Sequence, residues 1–440
     1  MGFFEQVFAT SFGFYTAGGL FVLLIACVIM RVTGNFAPVG IFLYQLKPII
    51  NLGYKYRIAG INLQSVTTIL FLGILGLYVL FTKKVEKSKG YYLTLALVIL
   101  YVTWVCLSTA ANNPSMQALP DVLKSIILVP IFFGGYVFFY EPQNRVKNMV
   151  IYLVVINLIT VIGYLQMIHI VPYTYHTAIG RQIVKRVTCG YFGPRDYINF
   201  VIIGLAFIFY LTDVSDRLWV KIVSWGSFAF WLPVIYYTYL RSGYIALFAL
   251  IMAYFFFQKK TGKLILFIGI FVIVAMLVAE TLSGIFEHTI TSIETGSYEK
   301  LGHNRLGGWI QMFRYFFNGP VHKWLIGYGA VPVIHGHVIN DAHNDYIKVL
   351  LETGFVGFAL FYCFIGLCAK EAVKCMREHP VREERALGGI AVALFVATGL
   401  YGITVRPSDY PVLLLFMISM SSYIFVSKHK TEGEARGAVS

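Results

Sequence analysis

Twelve long apolar runs restrict what this chain can fold into more than any other feature of its sequence. A helix of about 20 residues crosses about 30 Å of hydrocarbon, and each run is of that order. Hydrophobic residues make up 58% of the 440 residues and charged residues only 13%, against about 25% charged residues in a soluble domain. The sequence therefore predicts an all-α integral membrane protein with about 12 transmembrane helices. The runs lie near 13–31, 63–82, 91–111, 121–140, 148–168, 197–213, 218–240, 242–258, 263–281, 346–369, 386–404 and 410–427.

A thirteenth apolar run, near 37–53, is short and contains Pro38, Lys47 and Pro48. Proline interrupts helices, and a lysine is costly in hydrocarbon. We expect a re-entrant or broken segment here; if it spans the membrane, the N-terminus changes sides. The whole chain, 1–440, is interpreted as a single polytopic membrane domain.

The basic loops fix the predicted orientation. If the spans alternate, five basic segments fall on one side, which the positive-inside rule assigns to the cytoplasm. The net charge of +14 is therefore interpreted as a topology signal, and no nucleic-acid partner is expected. The residues concerned are Lys83, Lys84, Lys87 and Lys89; Arg145 and Lys147; Lys259, Lys260 and Lys263; Lys370, Lys374, Arg377, Arg382 and Arg385; Lys428 and Lys430.

The opposite side is predicted to carry a long polar loop, 282–345, with a small amphipathic helix around Trp309 to Phe317. This side should be poor in positive charge, yet its basic residues are mostly arginine, whose planar guanidinium offers paired donors to phosphate. They are Arg181, Lys185, Arg186, Arg195, Arg241, Arg305, Arg314 and Arg406.

For most of the basic residues on this side, the position in the sequence favours either a structural or a functional role. Arg181, Lys185 and Arg314 fit solvated or headgroup-contacting positions better than a site. Arg406, before Pro407, fits a turn anchor and a functional residue equally. Arg241 lies between two apolar runs, where an unpaired charge is costly, so we favour a function. One of Arg186 and Arg195, which flank the turn-rich stretch 188–194, is also expected to be functional.

His343 is the histidine best placed for catalysis. Asp341, Asn344 and Asp345 are helix-starting residues, and an apolar run follows, so His343 should lie at a helix N-terminus at the membrane edge. Histidine suits proton transfer near neutral pH. Asp345 is interpreted as a cap or as the residue that orients His343. The pair His335 and His337, without a third ligand, is only a weak indication of a metal, so no metal is predicted.

Lys348 and Glu352 are four residues apart on the same helix and are expected to face the same side, where they could pair. Glu352 is otherwise a candidate for the site.

Three segments resemble the bacterial O-antigen ligase and O-antigen polymerase superfamily. They are His343-Asn-Asp-Tyr346 with Glu352-Thr-Gly354, Asn304-Arg-Leu-Gly-Gly-Trp309 with Gly327-Tyr-Gly329, and Arg241-Ser-Gly-Tyr244. The resemblance covers about residues 186 to 360. The stretch Pro194-Arg195-Asp196 departs from the family pattern, which leaves open whether Arg186 or Arg195 does the work.

The resemblance implies a multi-pass glycosyltransferase of the bacterial inner membrane with its site facing the periplasm. It implies an undecaprenyl-diphosphate-linked oligosaccharide as donor and, as acceptor, another glycan or the lipid A core, with no cofactor and no metal. Other membrane proteins of polysaccharide assembly are further expected partners. By matching position, His343 is the expected base, and Arg241, Arg305 and Arg186 are the expected diphosphate ligands. Arg195 is a further candidate for the diphosphate, as the alternative to Arg186, and Asp345, Tyr346 and Glu352 are expected in support.

Four functions remain open at this point. A polymerase that joins repeat units is favoured, and a ligase that attaches the glycan to the lipid A core differs from it only in the acceptor. A transporter of lipid-linked glycans would place its polar groups near the bilayer midplane, between related halves, and neither feature is evident in the sequence. A structural membrane subunit leaves the outer arginines without a role.

Overall fold

The computed structural model describes residues 37–55, 57–58, 61–82, 87–112, 118–140, 142–173, 175–179, 182–277, 301–330, 343–408 and 412–437. Seven helices in these ranges are long and apolar enough to cross a membrane, and three shorter apolar helices accompany them. The chain is therefore a multi-pass helical membrane protein. The predicted number of about 12 spans stays a prediction, since the run at 13–31 lies outside the described residues.

The helices follow the apolar runs because a backbone in hydrocarbon must satisfy its hydrogen bonds within the segment. Each of the other eleven runs corresponds to a helix or to a series of short helices. The elements are α1 (Ala37–Gln45), α2 (Lys47–Ile50), α3 (Leu63–Thr82), α4 (Lys89–Asn112), α5 (Leu119–Ile126), α6 (Leu128–Gly134), α7 (Val137–Tyr140), α8 (Pro142–Met167), α9 (Pro194–Val214), α10 (Leu218–Tyr237), α11 (Arg241–Phe257), α12 (Thr261–Leu277), α13 (Leu301–Asn318), α14 (Val321–Ile326), α15 (Asp345–Glu378), α16 (Arg382–Gly402) and α17 (Val412–Gly437).

The segment near 37–53 is interrupted, as predicted. It consists of α1, a turn at Leu46, α2 and a 3-10 helix at Asn51–Lys55. Lys47 at the break is buried, and its Nζ donates to Thr68 Oγ1 at 2.5 Å. A buried lysine with a hydrogen-bond acceptor agrees with the rule that polar groups in apolar surroundings are paired.

The described residues are mainly helical, as predicted, but they also include two short antiparallel hairpins. Strands β1 (Arg57–Ile58) and β2 (Ile61–Asn62) form the first, and β3 (Tyr175–Ile179) and β4 (Gln182–Arg186) form the second. The second occupies part of the outer loop 169–196, which the sequence leaves without assigned structure. Its strands are only five residues long, too short for a reliable alternation pattern.

Arg145 is a buried structural residue, not the loop charge that the sequence predicts. It lies in α8, is 0% exposed, and forms a 3.1 Å ion pair with Glu384 of α16. Its other nitrogens donate to the Tyr210 hydroxyl at 3.0 Å and the Phe139 carbonyl at 2.9 Å. The guanidinium also lies 4.6 Å from the ring centre of Tyr423. The prediction fails because the partner carboxylate is 239 residues away in the sequence.

Replacing Arg145 should destabilise the helix bundle more than replacing an exposed basic residue. Arg145→Ala leaves the Glu384 carboxylate buried without its partner, which typically costs about 3–5 kcal/mol. We expect a clearly lower thermal unfolding temperature in detergent. Lys374→Ala is the matched control, because the Lys374–Glu378 pair is largely solvated and should contribute about 0–1 kcal/mol. Equal unfolding temperatures for the two variants would contradict a structural role for Arg145.

The helix that follows the polar loop is broken at Gly354. This residue has φ +65° and ψ −172° inside α15, so Asp345–Thr353 forms a short helix ahead of the longer apolar part. Gly354 packs backbone to backbone against residues 325–327, and a Cβ on it would lie 2.3 Å from the Leu325 carbonyl oxygen. Gly327, with φ +76°, meets the Glu352 carbonyl in the same way, at 2.4 Å. The two glycines of these motifs therefore allow a close backbone contact.

An alanine at Gly354 should disrupt this contact. The variant would combine a conformation that L-residues avoid with a steric clash, so we expect a loss of about 3 kcal/mol or more in unfolding free energy, or failure to accumulate. Gly366→Ala in the same helix is the control, since its added Cβ meets no atom within 4 Å. Unfolding of both variants is measured by thermal denaturation in detergent. Equal stability would show that the backbone contact is dispensable.

Candidate functional site

His343 and Arg195, which are 148 residues apart in the sequence, meet in the structure. A guanidinium nitrogen of Arg195, Nη2, lies 3.5 Å from Nδ1 of His343. Arg195 is the second residue of α9, and His343 lies just before the first residue of α15. The contact brings the predicted base and one of the two competing arginines together.

The local backbone fixes where His343 stands. Its φ is 44°, a conformation uncommon for a residue other than glycine. The next residue, Asn344, caps α15 by accepting a 3.0 Å hydrogen bond from the Ile347 amide. His343 is therefore held half-buried at the helix N-terminus, as the sequence predicts.

The contact at Nδ1 orients the imidazole ring of His343 beside Arg195. A guanidinium only donates, so of the two side chains only the imidazole can accept a proton.

Arg186 ends the hairpin β3–β4 and is held against the turn that follows α10. Its Nε donates to the Thr238 carbonyl at 2.6 Å, and its guanidinium lies 5.5 Å from the ring centre of Tyr175. Nη2 of Arg186 is buried, and within the described residues no acceptor meets it. A buried donor without an acceptor is unusual and costly, so Nη2 is a strong candidate to meet a ligand.

Arg241 and Arg195 both approach Arg186. Burial lowers the pKa of Arg186, and the positive charges of Arg195 and Arg241 lower it further. Arg241 is the first residue of α11, and Arg195 is the second of α9. A helix N-terminus already carries partial positive charge, so arginines there are unfavourable unless an anion compensates them. These three residues, Arg186, Arg195 and Arg241, are called the arginine cluster.

Arg305 and Asp345 meet the turn that follows α16. Nη1 of Arg305 donates to the Thr404 carbonyl at 3.2 Å. Oδ1 of Asp345 accepts from the backbone amide of Ser408 at 3.2 Å and from its hydroxyl at 2.5 Å. Asp345 thus anchors the turn beside His343, and Arg305 is bonded to the same turn. Arg406 lies in this same turn.

Tyr346 and Glu352 have supporting positions. The Tyr346 hydroxyl donates to the Gly399 carbonyl at 2.8 Å, and its ring stacks on Tyr362 at 5.3 Å. Glu352 pairs with Lys348 at 3.6 Å, the partner that the spacing predicts. The Glu352 carbonyl accepts hydrogen bonds from Ser108 and from the Gly329 amide. Both residues therefore hold the motif in place.

The structure adds contacts that the sequence does not indicate. The carbonyls of Thr238 and Thr404 and the side chain of Ser408 position three predicted residues, and Tyr175 lies against Arg186. Nothing in their types or spacing marks them. His335 and His337 lie outside the described residues. Among the residues that are described, no group of three or more metal-ligating side chains lies together.

The fold and the comparison with known families define a multi-pass membrane protein of a glycosyltransferase-like class. Residues 226–362 match the family described as O-antigen ligase, and this match supports the resemblance to the O-antigen ligase and polymerase superfamily. The match includes Arg241, Arg305 and His343, whereas Arg186 and Arg195 precede it. No curated protein matches the chain at a significant level.

Proposed function

We propose that this chain transfers a glycan from undecaprenyl diphosphate to a sugar hydroxyl, and that it polymerises the repeat units of a surface polysaccharide. The observation that carries the proposal is the 3.5 Å contact between Arg195 and His343 beside Arg186. It brings an anion-binding cluster and a proton acceptor to one place, which is what glycosyl transfer from a diphosphate requires.

The arginine cluster would stabilise the leaving group. As the bond between the anomeric carbon and the diphosphate oxygen breaks, its electron pair stays on that oxygen, and negative charge gathers there. Guanidinium donors directed at this charge favour the transition state over the ground state. Nη2 of Arg186, which is buried and meets no acceptor among the described residues, is the donor we assign first. Arg241 and Arg195 add charge next to it.

His343 would act as the general base. The acceptor hydroxyl attacks the anomeric carbon from the face opposite the diphosphate, a new carbon–oxygen bond forms, and the hydroxyl proton passes to the imidazole of His343. Attack from the opposite face inverts the anomeric centre. Arg195 has two roles in this reading: its contact orients the imidazole of His343, and its charge extends the diphosphate site. Arg305, bonded to the turn after α16, is the further diphosphate ligand that we propose from the family resemblance.

The proposed site lies at the periplasmic side of the bacterial inner membrane. The support is the positive-inside rule, which assigns the lysine-rich loops to the cytoplasm and leaves the arginines and His343 on the other side. A diphosphate attached to a membrane lipid lies at that boundary.

A ligase that attaches the glycan to the lipid A core is the second candidate, favoured by the description of the matching family as O-antigen ligase. A purified protein supplied with lipid-linked repeat units distinguishes the two. A polymerase lengthens the lipid-linked chains without core acceptor, whereas a ligase forms product only when core acceptor is added. Transport of the lipid-linked glycan across vesicles without any transfer would overturn both.

A further inference from the structure

Four tyrosines pack together at the outer end of α10. This tyrosine cluster consists of Tyr173, Tyr236, Tyr237 and Tyr239. The ring centres of Tyr236 and Tyr237 are 5.4 Å apart. The ring centre of Tyr239 lies 5.8 Å from that of Tyr236 and 6.1 Å from that of Tyr237. Tyr173 lies near Tyr237, and burial and this neighbour raise the pKa of Tyr173. Tyr236 and Tyr237 are each 39% exposed, so the cluster presents ring surface and hydroxyls outward.

The cluster adjoins the arginine cluster through the backbone. The Val187 amide donates to the Tyr237 carbonyl at 3.0 Å, and Arg186 Nε donates to the carbonyl of Thr238, the next residue. Tyr239 precedes Arg241 by two residues. The turn after α10 therefore carries Tyr239 and leads directly into Arg241, and it holds Arg186 by a hydrogen bond.

Tyr239 directly follows the C-cap residue of α10 and has φ 47°, the left-handed conformation in which helices commonly end. Its amide donates to the Tyr236 carbonyl at 3.1 Å, so the helix C-terminus fixes the position of Tyr239. The conformation brings the ring of Tyr239 against its two neighbours.

A pyranose has one face rich in C–H bonds and a rim of hydroxyls. Aromatic rings pack against the C–H face, and phenol hydroxyls donate hydrogen bonds to the sugar hydroxyls and accept them. A diphosphate bound at Arg186 and Arg241 places its first sugar one bond away from the phosphate. We propose that the tyrosine cluster is the subsite for the sugar of the donor nearest the diphosphate, an inference that rests on the proposed function.

The position also fits a general property of membrane proteins, the enrichment of tyrosine at the membrane–water boundary. Two features are not explained by this general enrichment. The rings contact one another, and the turn after α10 that carries Tyr239 also contacts the arginine cluster. The acceptor is a less suitable occupant, since the hydroxyl that attacks has to reach His343, which contacts Arg195 on α9.

The test measures donor KM and kcat of the reconstituted full-length protein with lipid-linked repeat units. Tyr239→Leu should raise the donor KM about 10-fold with a small change in kcat, and Tyr239→Phe, which keeps the ring, should stay within about 3-fold. Tyr237→Leu, at a more exposed position, serves if Tyr239→Leu does not fold. Trp219→Leu at the other end of α10, where the side chain is 51% exposed, is the control for the membrane boundary.

Competition by sugar-free undecaprenyl diphosphate separates a sugar subsite from a lipid contact. We expect its inhibition of the wild type and of Tyr239→Leu to be equal, because the probe has no sugar. Weaker inhibition of the variant, or a KM unchanged in both leucine variants, would overturn the inference. Failure of the proposed function would look different, because the wild type itself would then transfer no glycan.

Discussion

Membranes that contain His343→Ala at wild-type protein levels should transfer glycan about 10²–10⁴-fold more slowly than membranes with the unchanged protein. Without the imidazole, the proton of the acceptor hydroxyl has no acceptor placed beside the arginine cluster. Arg195, its neighbour at 3.5 Å, is a donor only and cannot replace it. The loss should appear in kcat more than in KM, because the proton moves in the transition state and not on binding.

The measurement is a transfer assay with purified lipid-linked repeat units, with product length resolved by gel electrophoresis. His322→Ala is the control, because His322 is exposed in α14. His343→Gln keeps a side chain that can still meet Arg195, so it tests whether the loss arises from base chemistry or from local disorder. Normal transfer by His343→Ala would remove the base assignment while leaving the match to the O-antigen ligase family intact.

Arg186→Ala should lower kcat/KM about 10²–10³-fold, the usual loss when one donor to a developing negative charge is removed. Its Nη2 is buried and meets no acceptor within the described part of the chain, so a ligand oxygen is the natural partner. Arg186→Lys should restore less than a tenth of the lost rate. Lysine keeps the charge, but it has neither the planar pair of donors nor the Nε that holds the Thr238 carbonyl.

Arg314→Ala is the matched control for charge alone. Arg314 is an exposed arginine on α13, and its loss should leave the rate within about 2-fold, as expected for a solvated charge. Thermal denaturation should show similar stability for the Arg186 and Arg314 variants. If the two variants lost activity equally, general attraction of an anionic substrate would explain the effect better than a defined donor.

The helices were predictable because a backbone in hydrocarbon has to satisfy its hydrogen bonds within each span. The interruption at 37–53 was also predictable, since two prolines and a lysine are visible in it. The break at Gly354 was not, because Glu352-Thr-Gly-Phe355 contains no proline. Its cause is a backbone contact with residues 325–327, and such a contact leaves no pattern in a single sequence.

Within the site, residue type and position were enough to select His343 and the outer arginines. They were not enough to predict which arginine contacts the histidine, because the sequence treats Arg186 and Arg195 as alternatives. In the structure Arg195 contacts His343, and Arg186 lies against the ring of Tyr175. Asp345 was predicted to cap a helix or to orient the histidine, whereas Asn344 provides the cap and Asp345 holds Ser408. In a sequence, adjacent polar residues at the start of a helix are equally good candidates for the capping residue.

The concentration of positive charge at the arginine cluster has a consequence for the end of the catalytic cycle. In the proposed reaction the donor diphosphate is a diester, and the departing carrier exposes a terminal phosphate whose additional oxygen ionises near pH 6. The spent carrier is therefore more negative than the donor and is held more strongly by Arg186, Arg195 and Arg241. Turnover would then be set by how quickly the bilayer withdraws the spent lipid, and the enzyme would respond to the rate at which the cell recycles its carrier.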